Sequence, residues 1–106
     1  MQGPPNNFVP APPPLFMDYA GRRYAVNVAR FIIGRERGQC HLVLSGGTVS
    51  RQHAAIELSG GNYFMTDLGS RNGIGSNGLR IHKKQIVEGD KFDVGGHVLS
   101  FSFRNY

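Results

Sequence analysis

The sequence has one cysteine, Cys40, and no proline after Pro14. A single cysteine cannot form an internal disulfide framework and is typical of a reducing compartment, so we expect a cytoplasmic protein. No apolar run approaches the ~20 residues that span a bilayer. No basic segment followed by an apolar stretch indicates a signal peptide. These absences exclude a disulfide-stapled scaffold and disfavour a membrane partner.

The length of 106 residues, 40% of them hydrophobic, predicts one domain with its own core. Twelve Lys and Arg residues against seven Asp and Glu residues give a net charge of +5, and most of these cations are arginines. Arginine binds phosphate or carboxylate through two parallel hydrogen bonds. This balance points to nucleic acid, a phosphopeptide or an acidic protein. From net charge alone, a mildly basic soluble surface is the better explanation, so the charge does not identify a partner.

All six prolines lie within residues 1–14, which carry no charged residue, serine or threonine. This composition predicts an extended, flexible arm or linker of polyproline II type. Pro10 and Pro13 form a PxxP pair of the kind that docks on aromatic grooves. We favour a plain tether, because PxxP arises easily in any proline tract.

From Leu15 onward, short segments alternate between apolar and polar residues, which is typical of strands with one buried face. The apolar positions are Tyr24, Val26 and Val28, then Ala54, Ile56 and Leu58, and then Leu99, Phe101 and Phe103. Gly and Asn pairs separate the strands, and no segment has a helical period. This pattern predicts that residues 15–106 form an all-β antiparallel β-sandwich in which most aromatic side chains belong to the core.

Four polar clusters follow or precede these strands. They are Gly34–Arg35, Ser50–His53, the segment Asp67–Gly73, and Asn77–Gly78. Loops that leave one end of a rigid sandwich are where such folds place binding residues. The clusters are therefore the candidate functional positions.

Neither catalysis nor metal binding is supported by these clusters. Ser50 and His53 could act as nucleophile and base, but three residues apart on an extended chain they point to opposite faces. No Gly-x-Ser-x-Gly motif is present. The four histidines, His41, His53, His82 and His97, lack the spacing of metal ligands. We expect a protein without enzymatic activity, metal or cofactor.

Anion binding fits the clusters better. Arg35, Arg51 and Arg71 come from three separate predicted loops, and a phosphate needs charged donors that converge from several directions. Neutral donors would come from Ser50, Ser70 and Asn72. Any one of these arginines is equally well explained as a solvated surface residue. Sequence spacing cannot show whether the three loops are neighbours.

The simpler interpretation of the remaining cluster residues is structural. Gly34, Gly73 and Gly78 are expected to form turns. Asp67 is expected to hydrogen-bond nearby backbone.

Taken in order, the clusters resemble the signature of the forkhead-associated (FHA) domain. The shared elements are Gly34–Arg35, Ser50-x-x-His53, Asp67-Leu68-x-Ser70-x-Asn72-Gly73 and Asn77–Gly78. The segments Gly89–Gly95 and Leu99–Phe101 are similar to the last strands of that family. The resemblance covers residues from about Leu15 to Phe103. The sequence departs from the family pattern at Ile74, where threonine is usual, and at Ser76, where an aliphatic residue is usual.

The resemblance implies a sandwich of about eleven strands that binds phosphothreonine peptides through loops at one end. It implies phosphate contacts for Arg35 and Ser50, and a phosphate or peptide contact for Arg51. Asn72 would hold the peptide backbone, and Arg71 would contact the phosphate or an acidic side chain of the ligand. Ser70 joins this set as a neutral donor.

Further residues would support the binding loops without touching the ligand. They are Gly34, His53, Asp67, Gly73 and Asn77. The loop Ser45–Thr48 would help to select the ligand residue three places after the phosphothreonine.

The resemblance predicts phosphothreonine-dependent protein binding in Ser/Thr kinase signalling. Thr48 and Thr66 are the only threonines, and both fall within predicted folded elements, so we expect a phosphorylated partner in trans, either a kinase or its substrate. One alternative is a scaffold that binds or self-assembles independently of phosphate. Another is nucleic-acid binding through Arg80, Lys83 and Lys84, although no stacking platform of aromatic residues accompanies them.

Overall fold

Eleven strands form the structure, a computed structural model that describes residues 11–105. They are β1 (Leu15–Tyr19), β2 (Arg22–Val26), β3 (Arg30–Gly34), β4 (Leu42–Val43), β5 (Ala54–Ser59), β6 (Asn62–Asp67), β7 (Ile74–Ser76), β8 (Leu79–Ile81), β9 (Lys83–Gln85), β10 (Lys91–Val94) and β11 (His97–Ser102). Between residues 11 and 105 no helix occurs, so none is available to cross a membrane.

The strands form two packed sheets, which confirms the predicted sandwich. A six-stranded sheet has the order β2-β1-β11-β10-β7-β8, and a five-stranded sheet has the order β4-β3-β5-β6-β9. All strand pairs are antiparallel except β3 with β4. The fully buried core side chains include Met17, Ile33, Ile56, Met65, Phe92 and Leu99. These residues come from both sheets, so the core lies between them.

The alternating pattern is confirmed in part. Ala54 and Ile56 are buried, but so is Ala55, whose small side chain lies on the other face in register with Ile32 and Thr66. The prediction for Val28 is wrong, because β2 ends at Val26 and Val28 is exposed in the following bend.

The aromatic residues mostly belong to the core, as predicted. Phe31, Tyr63, Phe92 and Phe101 are buried. Tyr19, Tyr24 and Phe103 are partly buried and pack against the core, although Phe103 lies just beyond the end of β11. Two others face outward beneath cations: the guanidinium of Arg23 lies 5.3 Å from the ring centroid of Phe16 and the ammonium of Lys83 lies 5.0 Å from that of Phe64.

The predicted proline arm is only partly described. Residues 1–10, including one half of the PxxP pair, lie outside the described residues. Residues 11–14 are exposed and have no regular secondary structure. The Tyr63 hydroxyl donates a hydrogen bond of 3.1 Å to the Pro13 carbonyl. This bond holds the segment against the start of β6.

Strand directions divide the molecule into two ends. The loops 35–41, 44–53 and 68–73 lie at one end, which we call the loop end. At the opposite end, Phe16 near the start of β1 pairs with Ser102 at the end of β11. The chain therefore enters and leaves the sandwich at the end away from these three loops.

Asn77 and Gly78 form the two-residue turn between β7 and β8, as predicted. Both have positive φ, 51° and 79°, which is the requirement of a type I′ hairpin turn. Asn77 therefore shapes the tip of this hairpin, which lies at the end of β7 away from the loop 68–73, and its support of the binding loops stays a prediction.

Candidate anion-binding site

Ser50 joins two of the predicted loops at the loop end. Its carbonyl accepts a hydrogen bond of 3.0 Å from the backbone N–H of Arg35. Its hydroxyl oxygen accepts one of 3.1 Å from the backbone N–H of Arg71. Residues from three segments far apart in sequence are thus brought together around one serine. This is the juxtaposition that sequence spacing could not show.

Gly34 allows the loop around Arg51 to lie directly on the end of β3. A Cβ atom at Gly34 would be 2.2 Å from the carbonyl oxygen of Arg51, which is far too close for any side chain. That same carbonyl accepts a hydrogen bond of 3.1 Å from the backbone N–H of Glu36. Gly34 therefore has the supporting role that the sequence predicted for it, and the reason is steric.

His53 is fully buried and connects two loops through its ring. The backbone N–H of Ser50 donates to Nδ1 at 3.1 Å, and Nε2 lies 2.7 Å from the carbonyl oxygen of Gly73. An accepting Nδ1 assigns the proton to Nε2, which donates to Gly73. Nε2 is thus occupied away from the Ser50 hydroxyl. The arrangement holds the loops together and is not that of a nucleophile with its base.

Ser70 faces into its own loop and not toward the surface. Ser70 is only 8% exposed, and its Oγ accepts a hydrogen bond of 2.9 Å from the backbone N–H of Gly73. The backbone N–H of Ser70 in turn donates to Asp67 Oδ1 at 3.1 Å. Asp67 and Gly73 therefore shape the loop, as predicted. The geometry gives Ser70 the same role and does not favour its predicted contact with a ligand.

Asn72 links two loops at the surface. Its Nδ2 donates to the Thr48 carbonyl at 2.9 Å, and the Thr48 hydroxyl donates to the Gly95 carbonyl at 2.8 Å. The loop Ser45–Thr48 is thereby fixed on two sides. Within the described part of the chain, Asn72 makes this one side-chain hydrogen bond, so its amide oxygen is available to an external N–H group.

Arg35, Arg51 and Arg71 are exposed at the loop end. The Nε of Arg35 donates to the Val49 carbonyl at 3.0 Å, which orients the guanidinium while leaving its terminal nitrogens for another acceptor. Among residues 11–105 the salt bridges are Arg23–Asp18, Arg30–Glu57 and Lys84–Asp90. No carboxylate of the described chain therefore neutralises these three arginines. Exposed guanidinium groups without a carboxylate partner are suited to a multiply charged anion.

Cys40 and Thr48 make structural contacts that their sequence positions do not reveal. The Cys40 thiol donates to the Arg51 carbonyl at 3.3 Å, and burial raises the pKa of this thiol, which keeps it protonated. Thr48 appeared only as part of the specificity loop, although the structure makes it the anchor between two loops. No local pattern marks either contact, because both depend on loops that meet only in the fold.

The three cations considered for nucleic-acid binding have different environments. Lys84 forms an ion pair of 2.8 Å with Asp90, and Lys83 lies over the ring of Phe64. Arg80 lies against Gly73, beside the loop end. In residues 11–105, no three His, Cys, Asp or Glu side chains cluster as metal ligands would.

Comparison with known proteins identifies the family. The sequence model of the FHA domain matches residues 31–95. The transcriptional regulatory protein EmbR of Mycobacterium tuberculosis is 35% identical over 83 residues, which are 77% of this chain and 21% of EmbR. The glycogen accumulation regulator GarA of Mycolicibacterium smegmatis is 32% identical over 82 residues, 77% of this chain and 51% of GarA. The chain thus spans between about a fifth and a half of these curated relatives.

Solved structures agree with the sequence comparison. The structure of M. tuberculosis EmbR in complex with a low-affinity phosphopeptide superimposes with a TM-score of 0.81 and 30% identity, covering 88% of this chain and 25% of EmbR. A structure from an analysis of phosphothreonine-dependent FHA domain interactions superimposes with a TM-score of 0.78 and 25% identity. It covers 88% of this chain and 99% of that domain.

Proposed function

Since this chain belongs to the FHA domain family, we propose that it binds phosphothreonine in a partner protein through the loop end. FHA domains are binding modules that recognise phosphorylated motifs through arginine clusters. The similarity to EmbR supports the proposal, because the EmbR structure was solved with a phosphopeptide. The proposed role is recognition without catalysis.

The observation that carries the proposal is the pair of hydrogen bonds around Ser50. Its Oγ already accepts the N–H of Arg71, so the hydroxyl hydrogen remains free to donate to a phosphate oxygen. Arg35 lies on the other side of Ser50. A phosphate with nearly two negative charges and three acceptor oxygens matches one hydroxyl beside two arginine residues whose backbone N–H groups bind the same serine.

The other exposed residues complete the proposed contacts. Arg51 follows Ser50 and adds a third cation for the phosphate or the peptide. Asn72 holds the peptide backbone through the amide oxygen that its bond to Thr48 leaves available. Arg71 contacts the phosphate or an acidic side chain near it. Gly34, His53, Asp67 and Gly73 act indirectly, by fixing the loops.

The ligand in this proposal is a cytoplasmic protein phosphorylated in trans by a Ser/Thr kinase, or the kinase itself. Thr48 is unsuited to be an internal ligand, because its hydroxyl and carbonyl are both used to hold the loops. Thr66 lies within β6. Neither threonine is placed to occupy the site of its own chain.

The test is a titration of the 106-residue protein with a degenerate phosphothreonine peptide pool and its unphosphorylated twin. We expect binding only to the phosphorylated pool, on the order of micromolar. Arg35→Ala should weaken it roughly 30-fold or more, because charge-assisted hydrogen bonds to phosphate are lost. Equal binding of both pools would refute the proposal and favour a phosphate-independent scaffold.

Arg30→Ala provides a matched control. Arg30 is the first residue of β3 and Arg35 follows its last residue, so the two lie at opposite ends of one strand, and Arg30 pairs with Glu57 at 3.1 Å. This variant should bind the phosphorylated pool as the wild type does. A similar loss in both variants would show that the pool responds to net charge and not to the Ser50 site.

A further inference from the structure

A groove of about 750 Å³ begins at Thr48 and Asn72 and extends over the outer face of the six-stranded sheet. Its lining includes Gly75, Arg80, Asp93 and Val98. The groove therefore shares Thr48, Asn72 and Gly73 with the loop end and then continues over β7, β8, β10 and β11, away from the phosphate contacts proposed above.

Gly75 forms the floor of the groove, because it has no side chain to fill this space. Gly75 pairs with Arg80 on one side and with Asp93 on the other, and Asp93 pairs with Val98. These four residues form one row across four strands. A Cβ at Gly75 would meet only the Cβ of Asp93, at 3.5 Å, an ordinary contact. A side chain would thus fit there, and its absence leaves a channel between Arg80 and Asp93.

Arg80 and Asp93 form the two walls of the channel. They differ in charge and in whether the charged group already has a partner in the chain. Arg80 is exposed, and within the described chain it forms no salt bridge. Its side chain lies across Gly73, where a Cβ would be 2.3 Å from Nε, so Arg80 borders the loop that carries Asn72. On the other wall, Asp93 Oδ1 accepts the N–H of Gly96 at 2.9 Å. Val98, at 53% exposure, adds an apolar surface beyond it.

We propose that this groove holds the segment of the partner chain that flanks the phosphothreonine, with an acidic side chain of that segment bound by Arg80. The inference rests on the proposed function and extends it from the phosphate to the neighbouring sequence. Continuity of the groove with Asn72 argues for the same polypeptide as occupant. The unpaired guanidinium at its entrance argues for a carboxylate on that polypeptide.

The test uses three pools of phosphothreonine peptides in which the four positions on each side of the phosphothreonine are enriched in Glu, Ala or Lys. We expect the wild type to bind the Glu pool about fivefold more tightly than the Ala pool, the size of one exposed ion pair. Arg80→Glu should reverse the order of the Glu and Lys pools. Gly75→Val should fill the channel and reduce the difference between the Glu and Ala pools.

Arg22→Glu is the control for net charge. Arg22 lies on β2, the opposite edge of the same sheet from β8, and this variant should rank the pools as the wild type does. The inference is overturned if the wild type does not prefer the Glu pool, or if Arg80→Glu and Gly75→Val keep its ranking. A different result, no binding of any pool above its unphosphorylated twin, overturns the proposed function itself.

Discussion

The two ends of the sandwich use charged residues in opposite ways. At the opposite end, Glu88 accepts hydrogen bonds from Phe103 N–H at 2.7 Å and from the Ser102 hydroxyl at 2.8 Å. Asp90 there accepts from Lys84 at 2.8 Å and from Val87 N–H at 2.9 Å. At the loop end, the guanidinium groups of Arg35 and Arg71 have no carboxylate partner within residues 11–105.

This difference separates charges that stabilise the fold from charges that remain available to a ligand. At the opposite end, the carboxylates of Glu88 and Asp90 accept hydrogen bonds from donors of the same chain. At the loop end, hydrogen bonds between backbone and neutral groups hold the loops, as those of Ser50, His53 and Asn72 do. The cations of the loop end are therefore not needed to neutralise internal acids. We expect substitutions at the two ends to affect different properties.

The largest effect that tests this separation is expected from Gly34→Ala. A Cβ at Gly34 would displace the backbone of Arg51, so the loop end should lose both stability and phosphopeptide affinity. We expect the free energy of unfolding to fall by about 2 kcal/mol, which lowers the Tm by roughly 10 °C. Thermal unfolding and a peptide titration measure the two losses.

Gly47→Ala is the matched control for that substitution. Gly47 is in the same loop as Ser50, but nothing lies within 4 Å of the position its Cβ would take. Its stability should change by less than about 0.5 kcal/mol. If both variants lost stability equally, steric contact with Arg51 would not be the reason that Gly34 is needed.

A smaller effect, on affinity alone, is expected from Asn72→Ala. Loss of the bond to Thr48 and of the proposed bond to the peptide backbone should weaken phosphopeptide binding about fivefold. Asn72 is exposed, so the Tm should stay close to that of the wild type. Asn27→Ala, in an exposed loop at the opposite end, should change neither quantity. A large fall in Tm for Asn72→Ala would instead place it among the structural residues.

The smallest effect concerns stability at low pH. The hydrogen bonds from Phe103 N–H and Ser102 hold the pKa of Glu88 below its usual range. A lowered folded-state pKa gives a contribution that is complete above the unfolded pKa, about 4.3, and is lost as the pH falls through the folded value. Urea unfolding should therefore show stability decreasing below about pH 4.3 less steeply in Glu88→Gln than in the wild type. Identical pH profiles would contradict this assignment.

Local patterns predicted the elements of the fold well. Alternation located the strands, and Asn77–Gly78 gave the correct hairpin turn because two residues with positive φ are a local requirement. The pattern failed at Val28, where the strand ends two residues earlier, and at Ala55, whose burial comes from neighbouring strands. These outcomes depend on packing, which a single strand's periodicity does not contain.

The candidate site was predictable as a set of residues but not as an arrangement. The ordered motif predicts Arg35, Ser50 and Asn72 as site residues, whereas the bond from Arg71 N–H to Ser50 Oγ joins residues 21 positions apart. The inward orientation of the Ser70 side chain could not be predicted either, because a sequence does not show which way a loop serine points. The groove over Gly75 requires four strands whose register only the fold specifies.

The pairing of Phe16 with Ser102 has a practical consequence for how the domain can be joined to other chains. Adjacent entry and exit strands allow a folded unit to be inserted into a single surface loop of another protein without separating that loop's ends. Both junctions then lie on the far side from Ser50. A host protein or an immobilising linker attached at either junction would leave the loop end facing solution.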